Sequence, residues 1–243
     1  MTNNLIIHLG TPCECLIATS IMRDKVFGHN YFEWIVANRD SAQILKYNKK
    51  VKNVHLYPKL PDNLFSQHFD CVINLHPDFN PLCCPTFDAN KTIGFHYSNE
   101  TDEWKSVLYG SKLSNKSIFQ LYYRMSGLKW KGQGYDISYR PRSKSKKKTS
   151  GIAIANANLR HYVIEKLNLD QSKLWYIPHK KHIFAKMDEI NKCPYIVTDD
   201  FFTLNIALCL KKNVYFLETL PFNTRLELFG SGKTFQVPKN IIQ

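Results

Sequence analysis

The chain has 243 residues, of which 44% are hydrophobic and 13% aromatic, so it can bury a sizeable core and is not a disordered or low-complexity protein. No apolar run approaches the roughly 20 residues that cross a bilayer, and MTNNLIIHLG lacks the pattern of a secretory signal, so a cytoplasmic protein is expected. Thirty-three Lys and Arg against 20 Asp and Glu give a formal charge of +13, which predicts an anionic partner. With no helix-turn-helix, zinc-finger or aromatic-basic signature, that partner is not expected to be nucleic acid.

In chain order, the first element is also the most informative. In 5–23, LIIHLGTPCECLIATSIMR, an apolar strand enters a turn marked by Gly10 and Pro12 and then a helical pattern carried by Leu16, Ile17, Ile21 and Met22. Glu14 therefore sits at the mouth of a βα unit, where a carboxylate can accept a proton from a substrate hydroxyl or simply favour the helix N-terminus. A second strand is predicted over 31–37, a helix over 40–47 capped by Asp40 or Ser41, and a third strand over 51–57. Residues 69–75, FDCVINL, form the best buried strand, and His76 just beyond it is either a ligand contact or a polar surface group. After a strand at 92–96, 114–128 reads as a core-packing helix stopped by Gly127.

Six cations fall within the nine residues 140–148, a composition that suits a solvated linker. It could also hold the protein near anionic lipid. We place a domain boundary there, with domains at 1–148 and 149–243. The second domain restarts with a strand at 151–155 and a helix running to 167. Asn156, Asn158 and Arg160 at that helix start could hold a diphosphate, or Asn156 could be an ordinary N-cap. One strand, 174–177, fits before the next helix. Asp199 and Asp200 then separate a strand from a helix, again as a site or as a cap. The seven cysteines (13, 15, 71, 83, 84, 193 and 209) form no paired C-x-x-C, so reduced thiols are expected, with no metal and no cofactor.

LGTPCECLIATSIMR resembles the opening motif of glycosyltransferase family 9, the ADP-heptose lipopolysaccharide heptosyltransferases, with Glu14 where that family carries its proposed catalytic aspartate. FDCVINL and TIGF resemble two further family strands. GIAIANANLRHYVIEKL resembles the family's strand, small-residue loop and helix, with Arg160 as counterpart of a phosphate-binding lysine. YIVTDDFFTLNIALCLKKNV resembles its donor motif, with Asp200 on the pattern's aspartate. Cys13, Asn74, Phe201, Phe202 and Asn205 depart from the pattern.

The resemblance implies a GT-B fold, two Rossmann-like α/β domains facing across a cleft. It implies an inverting, metal-independent transfer of a heptose or related sugar from a nucleotide-sugar, ADP-linked by analogy, to a lipopolysaccharide core or other surface glycan. Glu14 would be the catalytic base. Asn156, Asn158, Arg160, Asp200, Phe201, Phe202, Thr203 and Asn205 would line the donor site, and Thr11, Cys13 and His76 the acceptor side. The expected partners are a nucleotide-sugar and an anionic glycan or glycolipid, with peripheral contact to an anionic membrane at its inner face. Because the departures gather at functional positions, the rival expectation is a catalytically silent protein of GT-B shape that binds an anionic glycan or a partner.

Overall fold

The computed structural model describes residues 3–76, 87–94, 118–142, 150–178, 182–218 and 232–236, the last as backbone only. Cys83, Cys84, His96, the start of the helix predicted at 114–128 and the lysine run from Lys144 to Lys148 lie outside these residues. The chain divides into two compact units at Ser138/Tyr139. Tyr139 Oη donates to Asp188 Oδ1 at 3.1 Å and the Arg142 amide donates to the same oxygen at 2.7 Å, so 139–142, upstream of the expected boundary, belongs with the second unit.

The first unit is built from β1 (Asn3–His8), α1 (Pro12–Ala18), β2 (Tyr31–Val36), α2 (Arg39–Leu45), β3 (Val51–Leu56), β4 (His68–Phe69), β5 (Cys71–Asn74), β6 (Asp88–Ala89), β7 (Thr92–Gly94) and α3 (Ile118–Met125). Its sheet runs β3-β2-β1-β5-β7, every pair parallel, and β4 pairs separately with β6. A parallel strand covered on both faces has no polar side to expose, which is why β1 reads as an unbroken LII with Leu5, Ile6 and Ile7 almost fully buried. Leu5, Ile7, Ile35, Leu64, Phe69 and Val72 close one face as a single cluster, at roughly 1.5–3 kcal/mol for each fully buried large side chain.

Three local details differ from expectation. The α-helix ends at Ala18 and tightens into a 3-10 segment, Thr19–Arg23, so Ile21 and Met22 are buried in that segment. The strand expected at 69–75 is split at Asp70: His68–Phe69 pairs with β6, and Cys71–Asn74 joins the main sheet. The cap of α2 is Asn38, whose side chain accepts from Ser41 N at 2.9 Å, not Asp40 or Ser41. Asn38→Ala should cost about 1 kcal/mol in urea unfolding and Asp40→Ala clearly less, because only the first strands an amide of the opening turn. Gly94 is held at φ +88 opposite Asn74. A Cβ there would lie 1.9 Å from the Asn74 carbonyl oxygen, so the β5–β7 pairing requires glycine.

Mid-strand in β2, Glu33 is fully buried beneath Asn3, Asn53, His55 and Gln67, all within 2.6–3.2 Å of its carboxylate. Burial opposes its ionisation, but the hydrogen bonds led by that of His55 outweigh burial and pull the group down to about 2. Its contribution to stability is therefore complete above the usual carboxylate range and is lost as pH falls toward 2.

The second unit contains β8 (Ser150–Ala153), α4 (Ala157–Lys166), β9 (Leu174–Tyr176), α5 (Ile183–Asn191), β10 (Tyr195–Thr198), α6 (Phe201–Cys209), β11 (Asn213–Glu218) and β12 (Gly232–Gln236). Its parallel sheet runs β12-β11-β10-β8-β9. Ile152, Ile154, Leu159, Val163, Ile164, Val197 and Leu217 form its core cluster. The buried strands β5 and β8 thus lie in separate sheets. In each sheet the strand order reverses beside the unit's first strand, between β1 and β5 and between β8 and β10. Such switch points leave a crevice beyond the carboxyl ends of the strands.

Candidate functional site

At the β1–β5 switch point, Thr11 caps α1 with extended backbone (φ -66, ψ 160) and Pro12 opens the helix. Glu14 N donates to Thr11 Oγ1 at 3.3 Å, while Thr11 N and Thr11 Oγ1 donate to Glu14 Oε2 at 2.7 and 2.8 Å. This is a complete capping box. The structural and the chemical readings of Glu14 therefore coexist: the cap fixes one carboxylate oxygen in place at the strand mouth. A Cβ on Gly10 would sit 2.6 Å from Glu14 Oε2 and 2.9 Å from His8 Cε1, so glycine is what lets the carboxylate and the imidazole both close over the turn. Gly10→Ala should displace the flexible Glu14 carboxylate, read in a crystal structure of the variant, with the helix retained by circular dichroism.

His8, the last residue of β1, is the functional candidate that the sequence reading missed. Its Nε2 lies 2.9 Å from Tyr122 Oη on α3, and His76 stands edge-on with ring centroids 6.4 Å apart. Burial, reinforced by the facing His76, pushes His8 down to about 3, so its imidazole is neutral at physiological pH. Its Nδ1 is buried without a hydrogen-bond partner among the described residues. The acceptor-side candidates separate here. Thr11 is spent on the cap, Cys13 is 7% exposed, and His76 is half-buried at the end of β5 with its amide donating to Asn74 Oδ1.

At the β8–β10 switch point, Thr198 Oγ1 donates to Ala153 O at 2.9 Å and accepts from Asp200 N at 3.0 Å, joining the two strand ends. Asn156 caps α4 through Leu159 N, and both Asn156 and Asn158 are exposed. Arg160 stacks over Tyr176 at 5.5 Å, and its buried Nε has no acceptor among the described residues. Asp200 caps α6, accepting from Phe202 N and Thr203 N, from Thr203 Oγ1 and from Lys186 Nζ at 2.9 Å. Burial would raise this carboxylate, but the Thr203 hydrogen bond and the Lys186 ammonium hold it below the usual range.

This arrangement assigns different chemistry to the two helix starts. The amides of Phe202 and Thr203 are already taken by Asp200, so an anion would have to displace a carboxylate to reach them. The exposed start of α4, with Asn156, Asn158 and the Arg160 guanidinium, remains able to receive a diphosphate. Asn205, where histidine stands in the family pattern, is buried and donates to Phe201 O at 2.8 Å, within its own helix. Phe201 and Phe202 are half-buried, and Lys186 lies 5.5 Å from the Phe202 ring centre. Lys186 was not singled out from sequence; a lysine on an otherwise ordinary helix carries no signal until β10 and α6 are placed beside it. Among the described residues there is no group of three His, Cys, Asp or Glu arranged to hold a metal, and no helix long and apolar enough to cross a membrane.

No family model and no curated protein matches this chain. Solved structures do. The heptosyltransferase WaaC of E. coli, solved with ADP, superposes with a TM-score of 0.66 at 12% identity, over 98% of this chain and 94% of its own. A glycosyl transferase family 9 structure from Veillonella parvula gives 0.62 at 12%, over 97% and 86%. The E. coli ADP-heptose lps heptosyltransferase II gives 0.60 at 11%, over 98% and 91%. The chain therefore has the fold of these glycosyltransferases along nearly its whole length.

Proposed function

We propose that the chain is an inverting glycosyltransferase that moves a sugar, with ADP-linked heptose as the leading candidate, from a nucleotide-sugar to a hydroxyl of a glycan or glycolipid. The observation that carries this reading is the coincidence of the family 9 fold with an exposed helix start and cation at one switch point and a fixed carboxylate at the other. The second unit takes the donor, with its diphosphate at Asn156, Asn158 and Arg160. The first unit takes the acceptor, with Glu14 as its base.

In the reaction, the acceptor hydroxyl gives its proton to Glu14 as its oxygen attacks the anomeric carbon from the face opposite the diphosphate. The bond from that carbon to the diphosphate oxygen breaks, and the nucleoside diphosphate leaves with the electron pair. The amides that begin α4 and the Arg160 guanidinium offset the charge that builds on it, without a metal. Asp200 orients sugar hydroxyls. The +13 charge supports an anionic acceptor, and an acceptor embedded in the inner face of a membrane would bring this basic chain to that membrane.

A silent binding protein is the second reading, favoured by Asn205 folding back on its own helix and by Phe201 and Phe202 in the donor motif. Calorimetry with ADP-, UDP-, GDP- and CMP-sugars separates the two. Submillimolar binding of one of them is expected of the enzyme, and no binding across the panel would leave only the silent reading.

A further inference from the structure

Lys186 lies on α5 with its side chain 4% exposed, Nζ 2.9 Å from Asp200 Oδ2, under the Phe202 ring. Capping α6 needs no lysine, since the carboxylate of Asp200 reaches the Phe202 and Thr203 amides directly. A buried ammonium paired with a partly exposed carboxylate is also a poor device for stability alone, because a well-packed apolar side chain in its place is commonly as stabilising. The pair does something else to the carboxylate. Oδ2 is loaded by Lys186, by Thr203 N at 3.0 Å and by Thr203 Oγ1, whereas Oδ1 receives the Phe202 amide at a long 3.3 Å. One oxygen is fixed and the other retains accepting capacity.

We propose that Lys186 is a positioning residue for recognition of the donor's sugar: it pins Asp200 Oδ2 and balances its charge, so that Oδ1 is presented in one orientation to a sugar hydroxyl. The role rests on the nucleotide-sugar reading above. It also separates duties within the second unit, with the α4 start and Arg160 holding the diphosphate and the Lys186–Asp200 pair reading the sugar.

The test is calorimetry on the full chain with ADP-, UDP-, GDP- and CMP-sugars and with the corresponding nucleotides lacking the sugar. Lys186→Met should weaken binding of the preferred nucleotide-sugar about tenfold and leave the bare nucleotide within about twofold, as expected for losing one well-placed hydrogen bond to a charged group. Asp200→Asn should show the same split, and the double variant should bind no more weakly than either single one. Unchanged nucleotide-sugar binding in Lys186→Met overturns the role. So does an equal loss for both ligands, which would make Lys186 a diphosphate cation or a fold residue. Should Lys186→Met not fold, the charge-free double variant is compared with Asp200→Asn alone: equal affinities support the role and a further loss overturns it. A wild-type chain that binds nucleotide-sugars while Lys186→Met binds them equally sinks this inference alone. A wild-type chain that binds none of the panel sinks the nucleotide-sugar reading and this role with it.

Discussion

Glu14→Gln should lower turnover by about 10²–10⁴ while leaving donor affinity and thermal stability near wild type. The expectation is sharp because the substitution separates the two duties of the residue. Glutamine at the third helical position can still accept from Thr11 N and Thr11 Oγ1 through its amide oxygen, so the capping box of α1 survives. What disappears is the ability to take the acceptor's proton in the proposed reaction. A folded Glu14→Gln variant with near-normal turnover would remove Glu14 from the mechanism and leave it as a cap. Glu14→Ala is the weaker experiment, since it deletes cap and base together.

Asp200→Ala should destabilise the second unit by about 3–5 kcal/mol, read by urea unfolding. The change strands the Phe202 and Thr203 amides and, more costly, leaves the Lys186 ammonium buried without its carboxylate. Lys186→Met in the same chain should recover much of the loss, because the penalty belongs to the orphaned charge. The pH dependence follows from the lowered carboxylate. A group with a depressed folded value stabilises fully above its unfolded value of 3.8, and that stability drains away as pH falls through the lower folded value. Wild type should therefore show an acid loss below about pH 4 that Asp200→Ala has already suffered. Equal acid profiles for the two proteins would mean that the ionised Asp200 carboxylate contributes no such stability.

The strands nearest the two half-sites were legible because parallel strands buried on both faces read as apolar runs: Leu5–Ile7 within β1, Ile152 and Ala153 in β8, Ile196 and Val197 in β10. The caps at Asn156 and Asp200 were legible too, as residues with short acceptor side chains between a strand and a helical pattern. Asn38 lies two residues before the predicted helix, outside the stretch whose periodicity marks it. The split at Asp70 was hidden because Phe69 and Cys71 are both apolar, and only pairing partners distinguish β4 from β5.

What the sequence determined by itself is local: the alternation of strand and helix, the charge of +13, the glycine turn that carries Glu14 and the carboxylate that opens α6. Periodicity, turn chemistry and capping act over a few residues, so a linear reading contains them. The tertiary structure alone decided that His8 meets Tyr122, 114 positions away, and that Lys186 meets Asp200 across a helix and a strand. Those contacts follow from the order in which strands add to each sheet, reversing beside β1 and beside β8. Burial then holds His8 neutral, while the Thr203 hydrogen bond and the Lys186 ammonium together keep Asp200 charged against its burial. Neither effect has a sequence signature, because the dielectric surroundings of a side chain are made by residues remote in the chain.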